Sequence, residues 1–148
     1  GMKKSEVCFL FLLSLFCFAC SDSADNGNVT SMYRTGLCYY NGVGVKQNYA
    51  EAYRWFTDAA GNENIGAAYY LGKMQMYGEG CTPDPEAAVQ WLLKAAEKNN
   101  DKAQFELGNA YLTGNGVEEN DDIAMEWFEK AAENGNEKAL KITGRRRK

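Results

Sequence analysis

Few side chains in this sequence have chemical reach. No histidine occurs in the 148 residues. That removes the commonest general base, the Ser/His and Cys/His nucleophile pairs and most catalytic zinc sites. No Ser-x-x-Lys signature occurs either. Cys38 stands where Met74 and Ala110 recur 36 and 72 residues on, and Cys81 stands where Val45 and Val117 do. Both thiols therefore read as small apolar core residues, and two separated thiols without histidine make no zinc site. The run Glu118-Glu119-Asn120-Asp121-Asp122 lacks the alternating ligands and closing glutamate of a calcium loop. It reads as solvated carboxylates at a helix N-terminus. The expectation is a chain with no catalytic residue, no cofactor and no metal. A formal charge of −4 also argues against a nucleic-acid surface, which needs a basic face.

The elements that would position any site follow from an internal repeat. Gly36, Gly72 and Gly108 are 36 apart, as are Gly42, Gly78 and Gly114, and Gly44, Gly80 and Gly116. The same step carries Ala52 to Ala88 and Ala124, Trp55 to Trp91 and Trp127, and Ala59-Ala60 to Ala95-Ala96 and Ala131-Ala132. Three copies fit without insertion, at 31–66, 67–102 and 103–138, and a partial fourth covers 139–144. A fixed step of this length marks stacked supersecondary units that cannot bury their apolar faces alone. The fold class is all-α, three 36-residue helix-turn-helix repeats and a partial fourth helix.

In the third copy the first helix is expected over roughly Ala103 to Leu112, with Ala103, Leu107 and Tyr111 on one face. Gly114-Asn115-Gly116 would end it through left-handed backbone. Asn48, Asp84 and Asn120 read as caps of the second helices, Pro85 as a first helical residue, and Asn48 with Glu51 as a capping box. A mid-helix glycine costs about 1 kcal/mol relative to alanine. Gly36, Gly72 and Gly108 therefore imply a close neighbour, expected under the rings of Trp55, Trp91 and Trp127. The tryptophans' register beside the paired alanines assigns them to the core rather than to a carbohydrate or aromatic-cage site. Each Gly-x-Gly follows a helix rather than a strand, so no phosphate loop is expected.

The N-terminus reads as a targeting segment. Gly1 before Met2 reads as an expression scar, and Lys3 and Lys4 precede an apolar run from Val7 to Phe18. That run is too short to span a membrane, which needs about 20 residues. Ala19-Cys20-Ser21 then resembles a bacterial lipobox, which implies acylation of Cys20 as the mature N-terminus. Residues 1–20 are thus expected to be scar and lipoprotein-type signal, and 21–30 a polar tether. An ordinary signal peptide is the alternative. The tail Arg145-Arg146-Arg147-Lys148 (145–148) reads as a cationic helix end.

The pattern A-x-x-x-L-G-x-x-Y-x-x-G-x-G-V…A-x-x-W-F…A-A, nearly complete in copy three from Ala103 to Ala132, resembles the Sel1-like repeat family, relatives of the tetratricopeptide repeats. Copy two departs from it at Gln75 and Cys81. Copy one departs at Ser31 and Thr35, as a less buried terminal copy would. The resemblance covers about 31–144 and implies αα-hairpins coiled into a right-handed α-solenoid that serves as a protein–protein scaffold. First helices line the concave face in that class. Their exposed positions here are Arg34, Leu37 and Asn41, then Tyr70, Lys73 and Tyr77, then Glu106, Asn109 and Thr113, held together by i, i+3, i+7 spacing. Tyr70 and Tyr77 stand out, since tyrosine brings area and a polar tip at low entropic cost. The expectation is a non-enzymatic adaptor at a bacterial envelope that holds a protein or peptide partner, with the membrane touched only through a lipid on Cys20. Two alternatives stay open. One is self-association through the repeats. The other is cell-wall or β-lactam chemistry, which the resemblance attaches to cysteine-rich exported relatives that carry a disulfide in each repeat.

Overall fold

The structure, a computed structural model, describes residues 27–145. The targeting segment, Cys20, residues 21–26 and residues 146–148 lie outside the described residues. Seven helices occur among the described residues: α1 Val29–Asn41, α2 Tyr49–Gly61, α3 Ile65–Tyr77, α4 Pro85–Glu97, α5 Asp101–Thr113, α6 Asp121–Glu133 and α7 Glu137–Thr143. No strand occurs among these residues. The helices divide into two compact units at the Asn64/Ile65 boundary. In the first, α1 packs on α2; in the second, α3 packs on α4 and α5 on α6, with α4 against α5 and α7 against α6.

Six of the seven described helices, all but α3, start at a side-chain cap that the sequence supplies. Asn48, Asp84 and Asn120 accept the backbone N–H three residues on, from Glu51, Ala87 and Ile123. Asn28, Asn100 and Asn136 do the same for the first helices α1, α5 and α7. Such a cap satisfies one of the donors that a helix N-terminus leaves over. Helix α1 begins at Val29, so Val29 and Thr30 belong to the first repeat and not to a tether. The capping box at Asn48 is half made. The Glu51 carboxylate pairs instead with Arg54 at 2.9 Å, and the Asn48 N–H that it would have accepted donates to the Tyr39 carbonyl.

That last bond recurs. Asp84 N–H donates to Gln75 O and Asn120 N–H to Tyr111 O. In every repeat the glycine turn is thus latched back onto the helix it leaves. Gly42 and Gly114 close α1 and α5 in the left-handed region, at φ 68° and 66°.

The mid-helix glycines do mark close approach, but to the residue after each tryptophan. A Cβ on Gly36 would lie 2.7 Å from the Phe56 ring, on Gly72 2.8 Å from Leu92, and on Gly108 2.5 Å from Phe128. One residue is 100° around a helix, enough to exchange which side chain faces the neighbour. Phe56, Leu92 and Phe128 are accordingly among the most buried large side chains. The tryptophans sit further out: Trp55 is buried, but Trp91 and Trp127 are half-buried. Lys94 lies 5.0 Å over the Trp91 ring and Lys130 4.4 Å over that of Trp127, a cation–π arrangement that suits a half-exposed ring.

The paired alanines are buried in all three repeats. In the second unit Ala131 and Ala132 pack with Ala139, flanked by Phe105 and Leu140. Thr35 is buried rather than a mark of weaker burial, with its hydroxyl satisfied by the Ser31 carbonyl at 2.8 Å. Cys38 and Cys81 are half-buried rather than core residues, and neither is in a disulfide. The Cys81 sulfur lies 3.5 Å from the Met74 carbonyl.

Candidate functional site

Residues repeated in all three copies are mostly buried, so whatever distinguishes this chain from a generic stack lies on positions that vary. In the first unit, Arg34 and Asn41 are exposed and Leu37 half-buried along one side of α1. Asn41 turns its amide back to the Leu37 carbonyl at 3.1 Å. In the second unit, Tyr70, Lys73, Glu106 and Asn109 are half-buried, while Tyr77 and Thr113 are exposed. The Thr113 hydroxyl donates to the Asn109 carbonyl at 2.8 Å.

Two of these positions meet. The Tyr77 hydroxyl donates to Oε2 of Glu106 at 2.7 Å, joining the end of α3 to the middle of α5. More than half of Tyr77 is exposed (53%), and the rest of the side chain is partly desolvated. That desolvation, then the hydrogen bond and charge of Glu106, push the phenol well above its ordinary value. Tyr77 is thus a neutral donor held in place, with its ring presented to solvent.

A cavity of about 370 Å³ opens in the second unit beside Glu106. Tyr69 of α3 and Phe105 of α5 supply its aromatic wall; Asp101, Lys102, Glu137 and Lys138 supply charge. All come from the first-helix row or the turn before it. Asn136 donates to the Asp101 carboxylate at 3.0 Å, and Lys138 lies 5.7 Å over the Phe105 ring. Of the residues singled out from sequence, only Glu106 lines this cavity. The signal was present: Tyr69 and Phe105 are one 36-residue step apart, and so are Lys102 and Lys138. Lys102 lies four residues before Glu106, on the same stripe, so the stripe as read from sequence begins one turn too late.

Among the described residues no three Cys, Asp or Glu side chains gather where they could hold a metal ion. Cys81 is held above its ordinary thiol value by burial and then by the charge of Glu79, which keeps it from being a ready thiolate. Asp121 and Asp122 lie in the first turn of α6, where the helix dipole favours them. Arg145 meets Glu133 at 3.0 Å. No helix among the described residues is long and apolar enough to cross a membrane.

Antiparallel helix pairs at a constant 36-residue step, with buried repeated residues and a varied first-helix face, define an α-helical repeat protein. The Sel1 repeat model matches residues 29–63, 65–100 and 101–136, and the chain belongs to the Sel1 repeat family. Those matches start at the helices themselves, two residues ahead of the copies laid out above. Solved bacterial structures are similar over most of the chain. The protective antigen c5321 of uropathogenic Escherichia coli, described as having an SLR fold, is 38% identical with a TM-score of 0.80, over 84% of this chain and 27% of its own. A Sel1 repeat protein from Oxalobacter formigenes is 35% identical with a TM-score of 0.74, over 79% of this chain and 48% of its own. Cysteine rich protein B of Helicobacter pylori is 28% identical with a TM-score of 0.60, over 65% of this chain and 73% of its own. The chain thus spans about a quarter of the first of these proteins and about half of the second. No curated protein matches this chain.

Proposed function

We propose that this chain is a non-enzymatic adaptor that holds a peptide or protein segment on its row of first helices. The observation that carries the reading is the division of labour within the second unit. Residues common to the repeats are spent on packing, whereas Tyr70, Lys73, Tyr77, Glu106, Asn109 and Thr113 differ between repeats and stay at least partly accessible. Aromatic and charged side chains on a rigid helical frame are the usual makings of a recognition surface. The Tyr77–Glu106 hydrogen bond supports it further by fixing one aromatic anchor before any partner arrives, which lowers the ordering cost of binding.

The envelope is the expected setting, with Cys20 as the lipid-bearing residue. The lipobox-like Ala19-Cys20-Ser21 supports this, and a relative known as a protective antigen is in keeping with display where immune recognition can reach. The test is photo-cross-linking in the native envelope with a photoreactive residue at Tyr77. A discrete heterologous adduct that disappears with Lys73→Ala is the expected result. Adducts with a second copy alone would replace docking by self-association, and no adduct at all would overturn the docking face.

A further inference from the structure

The cavity bounded by α3, α5 and α7 narrows the kind of segment the first-helix row can take. Its volume of about 370 Å³ is at the low end of small-ligand sites, roughly 300–1,000 Å³. That is room for one or two side chains rather than a folded surface. The wall is aromatic, from Tyr69 and Phe105. Around it stand three carboxylates, on Asp101, Glu106 and Glu137, against the two ammonium groups of Lys102 and Lys138. The balance is negative.

The two signs are also held differently. Asp101 and Glu106 are half-buried, whereas Lys102 and Lys138 are exposed. Asn136 donates to Oδ2 of Asp101 at 3.0 Å, and Tyr77 donates to Oε2 of Glu106 at 2.7 Å. Both donors are neutral, so they fix the carboxylates in place without cancelling their charge. Each such bond also uses only one of a carboxylate's two oxygens. Among the described residues, neither Lys102 nor Lys138 forms an ion pair with Asp101 or Glu106. The lysine ammonium groups ride on flexible stems that can swing aside. The Lys138 ammonium lies 5.7 Å over the Phe105 ring, so the wall already offers the electron-rich face of that ring to a cation.

We propose that this cavity receives an arginine from a basic segment of a partner protein, its guanidinium lying against Phe105 and donating to the carboxylates of Asp101 and Glu106. A guanidinium stacks on a ring through its flat face while its N–H groups donate at its edge, which suits an aromatic wall beside fixed carboxylates. The formal charge of −4 adds long-range attraction for a basic segment. Lys138 is then a competitor for the Phe105 ring that the arriving arginine displaces. This rests on the first-helix row being the docking face, and it adds the partner's chemistry.

The probe is a short fluorescent Gly/Ser peptide with two arginines, titrated against the full chain by anisotropy. In the controls citrulline replaces the arginines, keeping their shape without the charge, or aspartate does. Expected are binding of the arginine peptide alone, weakening as salt rises, and a loss of roughly tenfold in affinity on Asp101→Asn with Glu106→Gln. Those replacements keep an acceptor oxygen for Asn136 and Tyr77. A second arm leaves the acids untouched: Lys138→Gln frees the Phe105 ring and should tighten binding by about two- to fivefold. Equal or tighter binding of the citrulline or aspartate peptide would overturn the proposal. So would arginine binding indifferent to Asp101 and Glu106, which is general attraction to an acidic chain, or binding weakened by Lys138→Gln. Failure of the arginine peptide to bind overturns the cavity's occupant, and the Tyr77 cross-linking decides the docking face separately.

Discussion

Tyr77 shows how one side chain can be exposed and constrained together. Its phenol titrates higher than an ordinary tyrosine, first because partial burial desolvates it and then because Glu106 accepts its hydrogen bond and repels the phenolate. A raised acid value means that the folded state prefers the neutral form. The contribution to stability is whole below about pH 10, the value in an unfolded chain. It is lost as pH climbs from there toward the folded value. Ultraviolet titration, with Tyr77→Phe identifying its step, should place the Tyr77 phenol above the ordinary tyrosine value, and Glu106→Gln should bring that step down without abolishing it. Gly116 is constrained differently. It lies at φ 77°, and a Cβ there would run into the Pro85 carbonyl. Gly116→Ala combines left-handed strain, about 1–2 kcal/mol, with a collision against backbone. It should destabilise by more than about 2 kcal/mol in urea unfolding. Gly114→Ala, where the nearest atom is the Glu119 Cβ at 3.3 Å, should cost visibly less.

At the scale of helices, Gln104 is a buried polar residue in α5 at a position where the preceding copies carry Met32 and Ala68. Its amide donates to the Ala96 carbonyl at 3.1 Å, and its oxygen accepts from Asn134 at 2.9 Å. One side chain thus ties the ends of α4 and α6 to α5. Gln104→Ala should cost about 1–3 kcal/mol, and a double-mutant cycle with Asn134→Ala should show coupling of roughly 0.5–1.5 kcal/mol. The helices themselves were legible in the sequence because the repeat presents each signal three times. Caps, glycine turns and paired alanines all fall where the 36-residue step puts them. The identity of the side chain over each mid-helix glycine was not legible from that step. Trp55 and Phe56 recur in the same register, and only three-dimensional phase distinguishes which of two neighbours turns inward. The cavity was hidden for a related reason: its wall and rim come from α3, α5 and α7, and no single helix displays the combination. Gln104 carried a weak signal, being a polar residue at an otherwise apolar position.

Across the molecule, burial is uneven along the chain. Helix α3 buries seven residues, among them Leu71, Met74 and Met76, whereas α1 buries only Thr35 and Gly36 and α7 only Ala139. Stability in a repeat array is a sum of local terms, and local opening follows burial. Amide hydrogen exchange should therefore be slowest in α3 and fastest in α1 and α7; uniform protection would mean that the array opens as one cooperative block. The latch from each turn to the helix it leaves has a consequence of another kind. Asn48 to Tyr39, Asp84 to Gln75 and Asn120 to Tyr111 each close inside a single 36-residue period. A gene that gains or loses one whole period by unequal recombination would leave every such closure intact. Length is then a quantity that inheritance can alter in steps without redesigning a turn.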